Sequence, residues 1–192
     1  MKPEPKGHTR RSMLRRGSLL GAGALMAGTG LGAAMEAPAA ANTVLVGGLQ
    51  PGWRYCHKCK GLFYGVAGNG VCPAGGGHDR SLSNKYQLFF DIVDDGYNQD
   101  GWRWCRKCQG LAFGESTGVC PAPGPGHDYN GSFDYNIFHV SDGNERQGGW
   151  AHCKNCQAMH YALAISQSRC PRTGGNHIIE GSIIYYWLDM YT

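Results

Sequence analysis

Charged residues are scarce, at 17% of the chain. No long segment repeats its apolar residues with a helical period, which excludes a fold built on amphipathic helices. The sequence has no Gly-x-Ser-x-Gly elbow, no phosphate-binding glycine loop and no His-Glu-x-x-His pair. The common signatures of serine hydrolases, nucleotide hydrolases and zinc peptidases are therefore missing. Glycine (31 residues), tyrosine (10), tryptophan (5) and cysteine (9) are what the chain has in plenty. That composition favours short strands and turns.

One pattern occurs three times, at intervals of 49 and 48 residues: Trp, two residues, Cys, two residues, Cys, an apolar run, Cys-Pro, a Gly-rich turn, His. The first copy is Trp53, Cys56, Cys59, Cys72-Pro73 and His78; the second is Trp102, Cys105, Cys108, Cys120-Pro121 and His127. The third is Trp150, Cys153, Cys156, Cys170-Pro171 and His177. Every cysteine is used, three per copy with one histidine. This is the ligand set of a Cys3His metal site. The intervening loops vary by a residue or two while the four donors persist.

Disulfides are the competing reading for a cysteine-rich exported chain. An odd number of thiols per copy, and in total, leaves one unpaired and breaks the equivalence of the copies. A Cys-x-x-Cys pair alone can be a redox motif, but the third Cys and the His favour metal. Three thiolates with one imidazole suit a closed tetrahedral zinc site, with iron as the alternative occupant. The expectation is three structural zinc ions, with ligands Cys56, Cys59, Cys72 and His78; Cys105, Cys108, Cys120 and His127; and Cys153, Cys156, Cys170 and His177. The Trp-x-x-Cys-x-x-Cys segments read as a strand running into a knuckle. Gly61 and Gly110 mark the tight turn after it, and 61–64 and 110–113 the returning strand. At this level the copies resemble zinc-ribbon knuckles.

Residues 1–41 read as an export signal rather than as part of the fold. Thr9-Arg10-Arg11-Ser12-Met13-Leu14-Arg15 resembles the twin-arginine (Tat) motif, with Met13 where Phe is usual. A weakly hydrophobic Gly-rich run follows, then Ala39-Ala40-Ala41 as a cleavage site. The resemblance implies a protein that folds in the reducing cytoplasm, where thiols stay free for metal, and then reaches the periplasm or the exterior. No Cys lies near the cut, which excludes a lipoprotein anchor. The first 41 residues hold six of the 18 Lys/Arg and two of the 14 Asp/Glu, so the mature part has no net formal charge. Its basicity lies in the signal, and this argues against nucleic acid as a partner.

Residues 42–192 suffice for one compact domain of three repeats, about 49–98, 99–146 and 147–192. Eight residues after each His stands a Tyr (86, 135, 185), followed two residues later by Leu88, Ile137 or Trp187. The runs 86–92, 135–140 and 183–188 read as strands. Strand-rich units of this period resemble β-trefoil repeats. The expected fold is all-β, three pseudo-symmetric β-trefoil-like repeats each with a zinc-binding knuckle, and residues 43–46 closing against the last strand. Independent beads on a string are the competing architecture.

Four protein ligands per ion leave no coordination position for catalysis, so the sites are expected to be structural. The expected function is a secreted, non-catalytic β module that binds an extracellular ligand, a cell-wall or other polysaccharide being the natural candidate, with a protein partner as a further, unranked option. The mature chain is expected to be a monomer with no membrane partner. Phe63, Tyr64 and Phe113 are the candidate sugar-stacking rings. Two alternatives stand: a metal-handling or redox protein, and a zinc enzyme with an open site in the third repeat. The last is motivated by His152 and His160, which break the pattern of the other copies but otherwise read as surface substitutions. His57 reads as solvated. Asp79 and Asp128, each directly after a His ligand, either orient the imidazole or cap a turn. Asp91, Asp94 and Asp95 read as a solvated loop cluster. The knuckle cations Arg54, Lys58, Lys60, Arg103, Arg106, Lys107 and Lys154 read as compensation for thiolate charge.

Overall fold

The computed structural model describes residues 47–93, 95–139, 146–179 and 186–192. The expected signal, the strand at 43–46 and Tyr185 lie outside these residues. Residues 42–192 group into one compact unit.

Among the described residues each repeat contributes three strands. They are β1 (Gly48–Tyr55), β2 (Leu62–Tyr64) and β3 (Lys85–Phe90); β4 (Asn98–Trp104), β5 (Leu111–Phe113) and β6 (Tyr135–Phe138); and β7 (Arg146–His152), β8 (Met159–Tyr161) and β9 (Tyr186–Met190). A 3-10 helix, Ala162–Gln167, follows β8. It is an addition peculiar to the third repeat among the described residues. The long strand of each repeat pairs antiparallel with both others, and its Trp sits in register between two aromatics. Trp53 opposes Tyr64 and Tyr86, Trp102 opposes Phe113 and Tyr135, and Trp150 opposes Tyr161 and Tyr186. A register shift just before each Trp coincides with a glycine at positive φ: Gly52 (104°), Gly101 (84°) and Gly149 (88°). This bulge, which only glycine adopts without strain, turns the Trp inward.

The repeats close on one another at both ends. At one end β3, β6 and β9 pair mutually. At the other, single bridges join Phe63 to Gly110, Ala112 to Ala158 and His160 to Gly61. The bonds alongside these run in the same circle: Tyr64 N–H to the Gln109 carbonyl (2.8 Å), Phe113 to Gln157 (2.9 Å) and Tyr161 to Lys60 (2.7 Å). The result is a nearly closed, barrel-like antiparallel sheet with pseudo-threefold symmetry, all-β and trefoil-like. Closure leaves few open sheet edges.

The core follows the same cycle. Trp53, Trp102 and Trp150 are each 0% exposed. Each meets the Tyr of the following repeat edge-on: Trp53–Tyr135 at 5.1 Å, Trp102–Tyr186 at 5.2 Å and Trp150–Tyr86 at 5.4 Å between centroids. Such pairs add about 0.5–1.5 kcal/mol beyond the area they bury. Each Tyr hydroxyl donates to a glutamine three residues before a Trp: Tyr135 to Gln50 (2.5 Å), Tyr186 to Gln99 and Tyr86 to Gln147. Leu62, Leu111 and Met159, with Leu88, Ile137 and Leu188, complete the core.

The third repeat corrects the sequence reading by one residue. Tyr186 and Leu188 occupy the core positions of Tyr86 and Leu88, and Trp187, expected there, is only half-buried. One more residue separates His177 from its Tyr than separates His78 from Tyr86. A slip of one residue in a strand exchanges its inner and outer faces.

Candidate metal centres

The knuckle between the first and second strands of each repeat is held by its own backbone. Cys56 N–H donates to the Gly61 carbonyl (2.9 Å) and Lys60 N–H to the Cys56 carbonyl (2.9 Å); the same pair recurs at Cys105 and at Cys153. The left-handed residue of this turn is Lys60, Gln109 or Gln157, with φ of 65°, 66° and 68°. The following Gly61 and Gly110 do not carry the turn, and Ala158 takes their place in the third repeat. A Cβ on Gly61 would meet its nearest neighbour, the Cys59 Sγ, at 3.4 Å, an ordinary contact.

The twelve cysteines and histidines fall into three groups of four, each with all ligand atoms within 4.8 Å of one another. All nine cysteines are free thiols. The facing sulfurs are 3.8 Å apart in Cys56–Cys72, 3.8 Å in Cys105–Cys120 and 3.9 Å in Cys153–Cys170. The second Cys of each knuckle lies 3.5 Å from the Nδ1 of its His in all three groups. A tetrahedral ion with bonds of about 2.3 Å to sulfur and about 2.0–2.1 Å to nitrogen sets S···S at about 3.8 Å and S···N at about 3.6 Å. A disulfide would need about 2.05 Å. The donor set therefore fits a metal ion at each group.

Hydrogen bonds orient the ligands. His78 Nε2 donates to the Cys108 carbonyl and His127 Nε2 to the Cys156 carbonyl, both at 3.1 Å. This leaves Nδ1 as the ligand atom, and it ties each His to the knuckle of the next repeat. Backbone N–H groups of Asp79 and Asp128 point at Cys56 Sγ and Cys105 Sγ (3.4 Å each). Their carboxylates cap the turn, accepting from Ser81 N–H (2.9 Å) and Asn130 N–H (3.1 Å). The turn-capping role is thus the one they fill.

Without metal the clusters share protons. Hydrogen bonds from Cys59 and Cys72 pull the Cys56 pKa down, and the same sharing pushes that of Cys59 up; Cys105 and Cys108 repeat this. Burial alone would depress His78, but its bonds to Cys56 and Cys72 outweigh burial and raise it to about 9. His127 likewise rises to about 9. A cation must displace these protons, so metal uptake releases them and weakens as pH falls.

His160 is not a surface substitution. It is 0% exposed and stacks on His177 at 4.4 Å, as Phe63 (0% exposed) stacks on His78 at 4.6 Å. Both its ring nitrogens are buried without a hydrogen-bond partner, and burial pushes its pKa down to about 3. It takes the place of a phenyl ring and is no member of the ligand group. Phe63, buried beneath His78, is not available to stack on a sugar; Tyr64 and Phe113 remain half-buried. His152 is half-buried, its Nε2 donating to Gln157 Oε1 (2.7 Å), and His57 is exposed.

Several cations staple loops. Lys58 Nζ donates to the Gly75 carbonyl (2.6 Å), and Lys107 Nζ to those of Pro123 and Pro125 (3.3 and 3.2 Å), which secures the Gly-rich turn beneath the His. Arg106 pairs with Asp128 (2.7 Å). Asp95 caps its own loop by accepting from Tyr97 N–H, and Asp91 accepts from Asp134 N–H; Asp94 lies outside the described residues. Sequence reading missed the Gln-x-Gly-Trp signature, in which Gln50, Gln99 and Gln147 precede the three tryptophans by three positions.

The three buried Cys3His clusters can thus hold metal ions in a threefold all-β frame. No family model matches the chain, nor does any curated protein or solved structure.

Proposed function

We propose that this is a zinc-stabilised, exported, non-catalytic β module that binds an extracellular polysaccharide. The observation that carries the structural role is the closed donor set: four protein atoms per site at tetrahedral spacing, with eleven of the twelve residues shielded in the core and Cys120 half-buried. Three thiolates and one imidazole favour zinc over harder cations. The third group has the same spacing as the other two, which supports the same structural role there rather than an open site. Burial of the sulfurs favours inert ions over metal traffic. The Tat-like segment supports export, and half-buried aromatics at the repeat junctions support a sugar ligand, which multivalency would strengthen.

Native purification and elemental analysis test the metal: three zinc ions per chain, resistant to micromolar chelator, are expected. Two inert ions and one exchangeable ion would favour the enzyme reading, and rapid exchange of all three the metal-handling one. Retention on cell-wall and plant polysaccharides tests the ligand class.

A further inference from the structure

Two of the three junctions between repeats form a cleft of the same make-up. Each is bounded by a Tyr, by the Gln of the Gln-x-Gly-Trp segment that it bonds, by the aromatic ending the second strand, and by the residue preceding the first knuckle Cys. Between the second and third repeats these are Tyr186, Gln99, Phe113 and His152, around a cavity of about 370 Å³. Between the third and first they are Tyr86, Gln147, Tyr161 and Tyr55, around about 140 Å³. His152 stands at the position that Tyr55 holds in the other cleft, which Leu82 and Asn84 also line. At the remaining junction Trp104 holds that position, its ring 6.3 Å from Tyr64 and its Nε1 donating to Gln109 (2.9 Å).

We propose that the cleft between the second and third repeats is a saccharide subsite that takes one pyranose ring of a neutral polysaccharide. The proposal rests on the polysaccharide reading above and gives it a place. Its volume lies at the small end of ligand sites, which run from about 300 to 1,000 Å³. The rings of Phe113 and His152 meet at 67° and 5.6 Å to form an aromatic corner, backed by buried Trp102. The polar groups are of both kinds. The Gln99 carboxamide oxygen is occupied, accepting from the Tyr186 hydroxyl and from Trp102 Nε1 (3.2 Å), so its NH₂ group is what it offers a ligand. Glu115 lines the same cleft, exposed and with no hydrogen bond or ion pair among the described residues, and offers an acceptor. A donor and an acceptor beside an aromatic face match the vicinal hydroxyls and apolar C–H face of a sugar ring. The lining holds one carboxylate, Glu115, and one ammonium, Lys154, with no cluster of either sign among the described residues.

The test uses the zinc-loaded full-length mature chain and a panel of soluble oligosaccharides of glucose, xylose and N-acetylglucosamine, together with solubilised peptidoglycan, read by calorimetry. Two variants are compared. His152→Trp installs the residue that the second repeat carries at this position, so the fold already accommodates it, and it fills the cleft. Glu115→Gln removes the carboxylate at an exposed position. The subsite predicts that His152→Trp abolishes binding and that Glu115→Gln weakens it about tenfold or more, both with three ions retained. Binding unchanged in both variants overturns the subsite while the polysaccharide reading stands. No binding by the parent chain to any member overturns both.

Discussion

Tyr135→Phe isolates one link of the ring that joins the repeats. Tyr135 is 2% exposed, and its hydroxyl donates to Gln50 of the preceding repeat at 2.5 Å. The phenyl ring that remains keeps the edge contact with Trp53, so only the hydrogen bond and the satisfaction of the Gln50 oxygen are lost. A part-buried bond of this kind is worth about 1–2 kcal/mol, including the cost of the acceptor left behind. In a domain of about 150–250 residues each kcal/mol moves Tm by about 2–4 °C, so a fall of about 2–8 °C is expected. Tyr186→Phe and Tyr86→Phe break the equivalent links to Gln99 and Gln147 and should match it. Thermal unfolding of the zinc-loaded protein, followed by far-UV circular dichroism, gives the values. A single cooperative transition should persist in each variant, since a closed ring unfolds as one body. Unchanged midpoints in all three, or a second transition confined to one repeat, would refute a core closed by these bonds.

Alkaline pH should destabilise the fold. Burial raises Tyr86 and Tyr186 to about 12. Below the ordinary value near 10 both states keep their protons; between about 10 and 12 only the unfolded chain ionises, and stability falls by about 1.4 kcal/mol per pH unit per tyrosine. Urea midpoints at about pH 9 and about pH 11 check this, and equal midpoints contradict it. His160→Phe replaces two unpartnered buried nitrogens with the ring that the first repeat carries as Phe63. It should stabilise by about 1–3 kcal/mol with the third ion retained. A lower Tm, or loss of one ion, would give His160 a role in the metal site.

The ligand groups were legible because metal chemistry dictates residue type: nothing substitutes for a thiolate or an imidazole at Cys56 or His78 while loop lengths drift. The threefold frame was legible from the period of the tryptophans. Register in the third repeat was not. The core position falls on Tyr186, nine residues after His177 rather than eight, and two adjacent tyrosines in the sequence give no local clue to that spacing. Residue type also misled at His160, because a polar ring is expected at the surface and here fills a phenyl-sized slot over His177. The Gln-x-Gly-Trp signature went unread since its partner, a tyrosine hydroxyl in another repeat, is adjacent only in three dimensions. The turn glycines misplaced the strain by one residue: the left-handed conformation falls on Lys60, Gln109 and Gln157.

Elemental analysis of natively purified protein, paired with mass spectrometry of its thiols, tests the metal centres most directly. Three zinc ions per chain with nine reduced cysteines, and a steep loss of Tm on stripping the metal under denaturing chelation, are the predicted result. Metal-free protein with cross-linked cysteines and a Tm indifferent to chelator and reductant would contradict it.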